Sequence, residues 1–188
     1  MFEDVIKHYP DFPKEGIDFI DVLPFMQDKK SFCDAVAELD RFCTTPNVAT
    51  VEARGFLFAA PLLATSQHVQ SIVPIRKKGK LPFAEGDLVR VAIEKEYGSD
   101  EVFFRRSDIA ACPTAADGTI EISLLDDLLA TGGTAYGIAK ALNGQVINGH
   151  AVRVREFLFL VELPALGGRA LLEALAPVHT LMSLEGVE

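Results

Sequence analysis

The sequence predicts one α/β domain with a mainly parallel, twisted sheet flanked by helices. Apolar residues alternate along the chain between short β-branched runs, typical of strands, and segments with helical spacing. Strands separated by helices favour parallel pairing through right-handed crossovers, with helices on both sheet faces. The length of 188 residues and the hydrophobic content of 49% suit a single domain with a well-developed core. We therefore expect residues 1–188 to form one domain of Rossmann-like organisation.

The first thirty residues differ from the rest of the chain. Pro10, Pro13, Gly16 and Pro24 interrupt a segment rich in large apolar side chains that extends to Phe25, which excludes a long helix. A disordered arm would expose many aromatic side chains at considerable cost. We expect residues 1–30 to pack over the domain as a small hood.

The predicted core, residues 31–163, begins with an amphipathic helix. Ser31 followed by Asp34 resembles a capping box, and apolar residues recur at helical spacing as far as Cys43. Strand and helix patterns then alternate. The predicted strands are residues 48–53, 71–76, 120–125 and 152–161, and the predicted helices are residues 55–66 and 134–142.

Residues 89–106 contain two strand-like stretches separated by Gly98, Ser99 and Asp100. This pattern predicts a hairpin that projects from the sheet. A two-stranded projection has few neighbours to hold it, so we expect a flexible lid. Residues 164–188 are expected to complete the fold.

The composition restricts the partners of the chain. It has 18 basic and 27 acidic residues, and the formal net charge of −9 argues against nucleic acid or an anionic membrane. The longest apolar run, residues 157–161, is too short to span a bilayer. The three cysteines and four histidines show no metal-ligand spacing, and no segment resembles a signal peptide. A cytoplasmic location is the simplest expectation.

A turn of small residues follows the predicted strand at residues 120–125. Ligands of open parallel sheets bind beyond the carboxyl ends of the strands, where this turn leads into a helix. Glycines let backbone amides approach an anion, and the helix N-terminus adds free N–H groups and the positive end of its dipole. We expect a phosphate monoester to bind Ala130, Thr131, Gly132, Gly133 and Thr134.

Two adjacent carboxylates, Asp126 and Asp127, precede this turn. The glycine turn alone would suit any α/β protein that needs small residues between a strand and a helix. The aspartates would repel a phosphate, but they suit the hydroxyls of a sugar, with a metal-bound diphosphate further along. A Walker-type site is disfavoured because no Gly-Lys-Ser or Gly-Lys-Thr follows the glycines. The expected ligand is a ribose that carries a phosphate.

The segment LLDDLLATGGT, residues 124–134, resembles the phosphoribosyl pyrophosphate signature of type I phosphoribosyltransferases, in the form found in the adenine phosphoribosyltransferase family. Further segments resemble that family in the same order, and they cover nearly the whole chain. They are YPDFPKEGIDF, EARGFLF, IRKKGKLP, EKEYG and LVELPALGGR. The resemblance implies a homodimer that converts adenine and phosphoribosyl pyrophosphate to AMP and pyrophosphate. It also implies Mg²⁺ held mainly by the substrate, with no direct protein ligand.

The resemblance further implies roles for individual residues. Glu96 would hydrogen-bond or protonate the purine ring, and Tyr97 would shape closure of the lid. Without the resemblance, Glu96 would be an ordinary exposed glutamate, and the basic cluster would fit a solvated surface equally well. The implied pyrophosphate-binding residues are Arg54, Arg76, Lys77, Lys78 and Lys80, and the implied base-binding residues are Asp18, Phe19 and Leu163.

The hood departs from the family pattern. The family commonly reads Val-Phe-Arg-Asp where this chain has Asp18, Phe19, Ile20 and Asp21. This leaves open a phosphoribosyltransferase for a 6-oxopurine such as hypoxanthine, guanine or xanthine. A non-catalytic sensor of phosphoribosyl pyrophosphate is a third reading, but such a regulator usually needs a nucleic-acid-binding module. Two insertions, near residues 108–117 and 143–153, are expected to enlarge loops away from the site.

Overall fold

The computed structural model describes residues 2–94 and 99–185. The strands are β1 Lys7–Pro10, β2 Asp18–Asp21, β3 Asn47–Val51, β4 Ser71–Lys77, β5 Leu88–Glu94, β6 Ser99–Arg105, β7 Ile120–Leu129, β8 Val146–Ile147, β9 His150–Glu162 and β10 Val178–Ser183. The helices are α1 Lys29–Phe42, α2 Arg54–Thr65, α3 Arg106–Ala110, α4 Gly133–Asn143 and α5 Gly168–Glu173. Short 3-10 turns cover Phe2–Asp4, Leu23–Gln27 and Pro164–Leu166.

The main sheet has the strand order β10-β9-β7-β3-β4-β6-β5, and β8 pairs with the start of β9. The first five strands of this order are parallel, whereas β6 is antiparallel to both β4 and β5. The α/β prediction of a mainly parallel sheet flanked by helices is therefore confirmed. Parallel pairing aligns the carboxyl ends of β3, β4, β7 and β9 along one edge.

Helices cover both faces of this sheet. On one face, Ile138 of α4 and Leu172 of α5 pack with Phe157 in one buried cluster. On the other face, α1, α2 and the hood form a second cluster that includes Phe25 and Phe58. Burial of an aromatic or aliphatic side chain of this size contributes roughly 1.5–3 kcal/mol. The strands between the layers are mostly apolar on both sides because helices cover both faces of the sheet.

The hood is built on the antiparallel β1–β2 hairpin, in which Lys7 lies opposite Asp21. Its inner side is anchored by Ile20, which is 2% exposed, and by Phe25, which is fully buried. Phe12 and Ile17 remain exposed. The prolines and Gly16 thus fall in and around a short hairpin and its turns.

The capping box predicted at Ser31 is wrong. Helix α1 begins at Lys29, and its N-cap is Asp28, whose carboxylate accepts a hydrogen bond of 3.2 Å from the Lys30 N–H. Ser31 lies inside the first turn and donates its hydroxyl to Asp28. An aspartate earlier in the chain therefore takes the capping position.

Strand β7 continues beyond its predicted end. Leu128 and Leu129 pair with Val161 and Glu162 of β9, so Asp126 and Asp127 lie within the strand and not after it. Helices α3 and α5 were not predicted from the sequence, because such short segments show too little helical periodicity. Strands β8 and β10 were also not predicted.

The two expected insertions lie at the amino ends of the strands. One contains β8, which pairs with the start of β9, and the other covers the end of α3 and the loop that precedes β7. Both are opposite the edge at which the turn predicted to bind phosphate, residues 130–134 (the phosphate turn), begins. Within the residues that the structure describes, none of the helices is long and apolar enough to cross a membrane.

Candidate active site

The turn between β7 and α4 forms a small cavity. Gly132 is the N-cap of α4 and has a left-handed φ of 77°, which favours glycine, and no side chain caps the helix. The first N–H groups of α4 have no acceptor within the helix and are available to an anion. The cavity, of about 110 Å³, is lined by residues 128–135 together with Asp126 and Phe159. It brings together all five residues predicted to bind phosphate.

Phe159 is a lining residue that the sequence reasoning missed. It belongs to the apolar run of β9, and nothing in that run distinguishes it from its buried neighbours. Its place is decided by register, because Asp126 of β7 lies opposite Phe159.

Asp126 and Asp127 differ in their surroundings. Asp126 lines the cavity predicted to bind phosphate (the phosphate cavity). Asp127 approaches α2, and its Oδ2 atom lies 2.7 Å from Arg54 Nε at ion-pair distance, although without hydrogen-bond geometry. Consecutive side chains of a strand point to opposite faces, which explains why the two carboxylates have different partners.

Burial perturbs both carboxyl groups. It raises the pKa of Asp126 well above its ordinary value, and the neighbouring charge of Asp127 adds to this effect. Burial also raises the pKa of Asp127, against the opposing influence of the Arg54 charge. A carboxyl pair that retains a proton can both donate and accept hydrogen bonds. Such a pair is chemically suited to sugar hydroxyls.

Arg54 connects this pair to the hood. Besides its contact with Asp127, its guanidinium lies 5.3 Å from the centre of the Phe19 ring and donates to the Ile20 carbonyl at 3.4 Å. Phe12 meets Phe19 edge-on, with ring centres 5.3 Å apart. The structure thus brings a residue predicted to bind pyrophosphate next to one predicted to bind the base.

A close approach at Gly55 determines where Arg54 lies. A Cβ atom on Gly55 would stand 2.5 Å from Thr50 Oγ1 and 3.2 Å from Asp126 Oδ1, so a larger residue would push the start of α2 away. Thr50 Oγ1 is buried and has no hydrogen-bond partner among the described residues. Gly55 therefore lets α2 begin directly beside the carboxylate pair.

Asp18 and Leu163, the other predicted base-binding residues, have separate environments. Asp18 Oδ2 lies 2.7 Å from His8 Nδ1 on the neighbouring strand of the hood. Its Oδ1 atom is buried without a hydrogen-bond partner in the described part of the chain. Leu163 is buried in the same cluster as Ile20, and its N–H donates to the Leu129 carbonyl. Leu163, which directly follows β9, therefore lies beside the last residue of β7, from which the phosphate turn starts.

The basic cluster lies at the end of β4 and in the turn that follows. Arg76 forms an ion pair of 2.6 Å with Glu52, which also accepts a hydrogen bond from the Lys77 backbone. Burial opposes the charge on Glu52, but these hydrogen bonds and the neighbouring cations hold its pKa below the ordinary value. Lys77, Lys78 and Lys80 are exposed. Glu52, which the sequence reasoning missed, thus links the cluster to the segment before α2.

The two residues predicted on the lid, Glu96 and Tyr97, lie outside the described residues. The strands on either side of them form the predicted hairpin. They pair from Leu88 opposite Arg105 to Glu94 opposite Ser99. The described residues also contain no group of three or more His, Cys, Asp or Glu side chains suited to a metal ion.

Comparison with known proteins identifies relatives that match nearly the whole chain. Adenine phosphoribosyltransferase of Brucella anthropi is 40% identical over 188 residues, which cover 98% of this chain and 94% of the relative. No protein-family model matches the chain. Among solved structures, adenine phosphoribosyltransferase from Thermoanaerobacter pseudethanolicus is 34% identical with a TM-score of 0.81, and the match covers 98% of this chain and all of that one. The Saccharomyces cerevisiae adenine phosphoribosyltransferase, solved with adenine and an imino-altritol bisphosphate, is 32% identical with a TM-score of 0.75 and 96% coverage of both chains.

Proposed function

The chain belongs to the adenine phosphoribosyltransferase family, and on this premise we propose that it converts adenine and phosphoribosyl pyrophosphate to AMP and pyrophosphate. The observation that carries the proposal is the arrangement along β7 and its turn. An uncapped helix N-terminus and a small cavity adjoin the half-buried Asp126 and the buried Asp127, and Asp127 is paired with Arg54 beside Phe19. This order of groups matches the order of phosphate, ribose and base in the product.

Each part of the site has a proposed role. The 5′-phosphate binds the turn at residues 130–134, and the ribose hydroxyls bind Asp126 and Asp127. Adenine binds at the hood against Phe19, with Asp18 and Leu163 nearby. The leaving pyrophosphate is bound by Arg54 and the basic cluster, Arg76, Lys77, Lys78 and Lys80.

The reaction exchanges one bond at the anomeric carbon of the ribose for another. The bond to the pyrophosphate oxygen breaks, a bond to a ring nitrogen of adenine forms, and the proton lost from adenine passes to the departing pyrophosphate or to water. The sugar becomes cationic in the transition state, so catalysis depends on stabilising the departing negative charge and excluding water. The cationic side chains of the basic cluster are suited to the first task, and the β5–β6 hairpin is suited to the second.

We propose Mg²⁺ as the cofactor, bound mainly by the diphosphate of the substrate. This ion prefers oxygen ligands and usually keeps part of its water shell, so it needs few direct ligands from the protein. In the proposed arrangement the carboxylates of Asp126 and Asp127 bind the ribose, and they would contact such an ion through its water shell. When bound, Mg²⁺ would neutralise charge on the diphosphate.

The altered hood residues leave the 6-oxopurine alternative open. Ile20, which stands where the family has an arginine, is buried in the core. Asp18, which stands where the family has an apolar residue, adds a carboxylate that accepts hydrogen bonds from both amino groups and ring N–H groups. The adenine assignment therefore depends on the family and not on these two residues.

A panel of bases tests the proposal. With phosphoribosyl pyrophosphate and Mg²⁺, we expect AMP from adenine, and weak competition by hypoxanthine, guanine and xanthine. Efficient turnover of a 6-oxopurine without AMP formation from adenine would refute the adenine assignment. Binding of phosphoribosyl pyrophosphate without turnover of any base would instead support a sensor.

We further propose that the chain acts in the cytoplasm and forms a homodimer. Cys33, Cys43 and Cys112 are free, as is usual for proteins of a reducing compartment. The homodimer is proposed from the family resemblance.

A further inference from the structure

The start of α5 packs against the phosphate turn through backbone atoms. A Cβ atom on Gly168 would lie 2.1 Å from the Ala130 carbonyl oxygen and 2.9 Å from the Gly132 nitrogen. Distances this short require a backbone shift, because neither neighbouring atom belongs to a flexible side chain. Only glycine at position 168 lets α5 contact the turn in its observed conformation.

The contact is reciprocal. A Cβ atom on Gly132 would lie 3.0 Å from the Gly168 carbonyl oxygen, and Gly132 also has a left-handed φ. Two glycines that are far apart in the sequence therefore face each other across one backbone contact. The conformation of the turn depends on where α5 lies.

Arg169, the next residue of α5, anchors the helix. Its Nε atom donates to Glu162 Oε1 at 2.9 Å, and its Nη2 atom contacts the other carboxylate oxygen. It also donates to the Val178 carbonyl at 2.9 Å and to Thr180 Oγ1 at 3.1 Å. Glu162 is buried and lies opposite Leu129, the last residue of β7. The anchor is thus attached to the strand end from which the turn starts.

We infer that Gly168 and Arg169 are positioning residues for the phosphate turn. The backbone of Gly168 packs against the backbone of residues 130–132 and fixes its conformation. Arg169 holds α5 against β9 and β10, which keeps Gly168 at this contact. The inference rests on the proposed function, since it assigns the 5′-phosphate of the substrate to this turn. Neither residue is assigned a contact with the reacting atoms.

Ribose 5-phosphate binding to the full chain, measured by calorimetry, tests this inference. We expect Gly168→Ala to weaken this binding about tenfold or more, because displacing a positioned group by about 1 Å can cost about a hundredfold. At saturating phosphoribosyl pyrophosphate, the KM for adenine should change by less than about threefold, which is under 1 kcal/mol.

Gly144→Ala is the matched control. Gly144 lies at the other end of α4, and a Cβ atom there would meet only ordinary contacts, the nearest at 3.4 Å. This variant should bind ribose 5-phosphate like the wild type. If Gly168→Ala does not fold, Arg169→Lys takes its place. It keeps the charge but loses the paired contacts to Glu162, and it should weaken ribose 5-phosphate binding in the same direction without changing the KM for adenine.

Two outcomes would overturn the inference. One is a folded Gly168→Ala variant with wild-type affinity for ribose 5-phosphate, and the other is equal loss of ribose 5-phosphate and adenine binding. A wild-type protein that binds ribose 5-phosphate but forms no AMP would count against the proposed function alone, since the binding measurement does not depend on turnover.

Discussion

Among single residues, Asp127 has the environment that best explains a role in ribose binding. It is buried, it pairs with Arg54 at 2.7 Å, and it adjoins the phosphate cavity through Asp126. Asp127→Asn keeps the shape of the side chain but removes its charge. We expect the KM for phosphoribosyl pyrophosphate to rise roughly tenfold to hundredfold, the usual effect of losing a charged hydrogen-bonding group. Steady-state kinetics measure this, and Asp117→Asn, in an exposed turn, serves as the unaffected control. An unchanged KM in Asp127→Asn would exclude this role.

The raised pKa of Asp126 predicts how stability depends on pH. The folded protein holds a proton on Asp126 more tightly than the unfolded chain does, so this group lowers the free energy of unfolding as pH rises above its ordinary pKa of 3.8. Asp126→Asn removes this effect. Without substrate, we expect the stability of the variant relative to the wild type to increase with pH, by about 1.4 kcal/mol for each unit by which the pKa is raised. Urea unfolding at several pH values measures the difference, and a difference independent of pH would contradict the prediction.

Glu96 is predicted to act on the purine ring, and this prediction comes from the family resemblance. Glu96→Gln keeps the size of the side chain but removes its ability to transfer a proton. We expect kcat to fall about a hundredfold, within the usual range for loss of a general acid or base, with a much smaller change in substrate affinity. Pre-steady-state and steady-state kinetics separate the two effects. Wild-type activity in the variant would remove Glu96 from the mechanism.

At the scale of elements, α1 shows how a local signal can be assigned to the wrong residue. Asp28 caps the helix and its pKa is lowered, chiefly by the hydrogen bond from the Ser31 hydroxyl. We expect Asp28→Ala to lower the Tm by about 2 °C at neutral pH, and Ser31→Ala to have a smaller effect. Because the pKa of Asp28 in the folded protein lies below 3.8, its contribution to the free energy of unfolding should disappear as pH falls through that pKa. Thermal melts measure both effects, and a larger loss in Ser31→Ala would restore the predicted capping box.

The longer elements were predictable because their patterns are repeated along the chain. Helix α4 and strand β9 were predicted with nearly the bounds that the structure shows. Helix α5 escaped prediction because its 6 residues are too few to establish a period. The extension of β7 was also missed, since it depends on pairing with β9 and not on the composition of β7 itself.

For the whole molecule, the proposed homodimer gives a measurable mass. Size-exclusion chromatography with light scattering should give a molecular mass of twice the 20.5 kDa of one chain. The expectation comes from the family resemblance, and the hood leaves apolar side chains such as Phe12 and Ile17 exposed, as a surface that binds a second copy would. A mass of one chain at micromolar concentration would contradict the prediction.

The sequence by itself determined the fold class, the glycine turn between β7 and α4, and the family. These depend on residues that are neighbours in the chain, because periodicity, turn chemistry and a strand-to-helix glycine turn are all local properties. Gly132 could therefore be assigned to the turn from its neighbours in the chain, and its left-handed φ agrees with that assignment. The resemblance then assigned roles to more distant residues.

Only the tertiary structure decided which distant residues meet. Arg54 lies between Asp127 and Phe19, and Gly168 supports the turn that begins at Ala130. These partners are far apart in the chain, and they come together only because parallel pairing aligns the carboxyl ends of the strands at one edge. No local pattern encodes such a contact, since it depends on register, helix placement and the absence of a Cβ atom at one position.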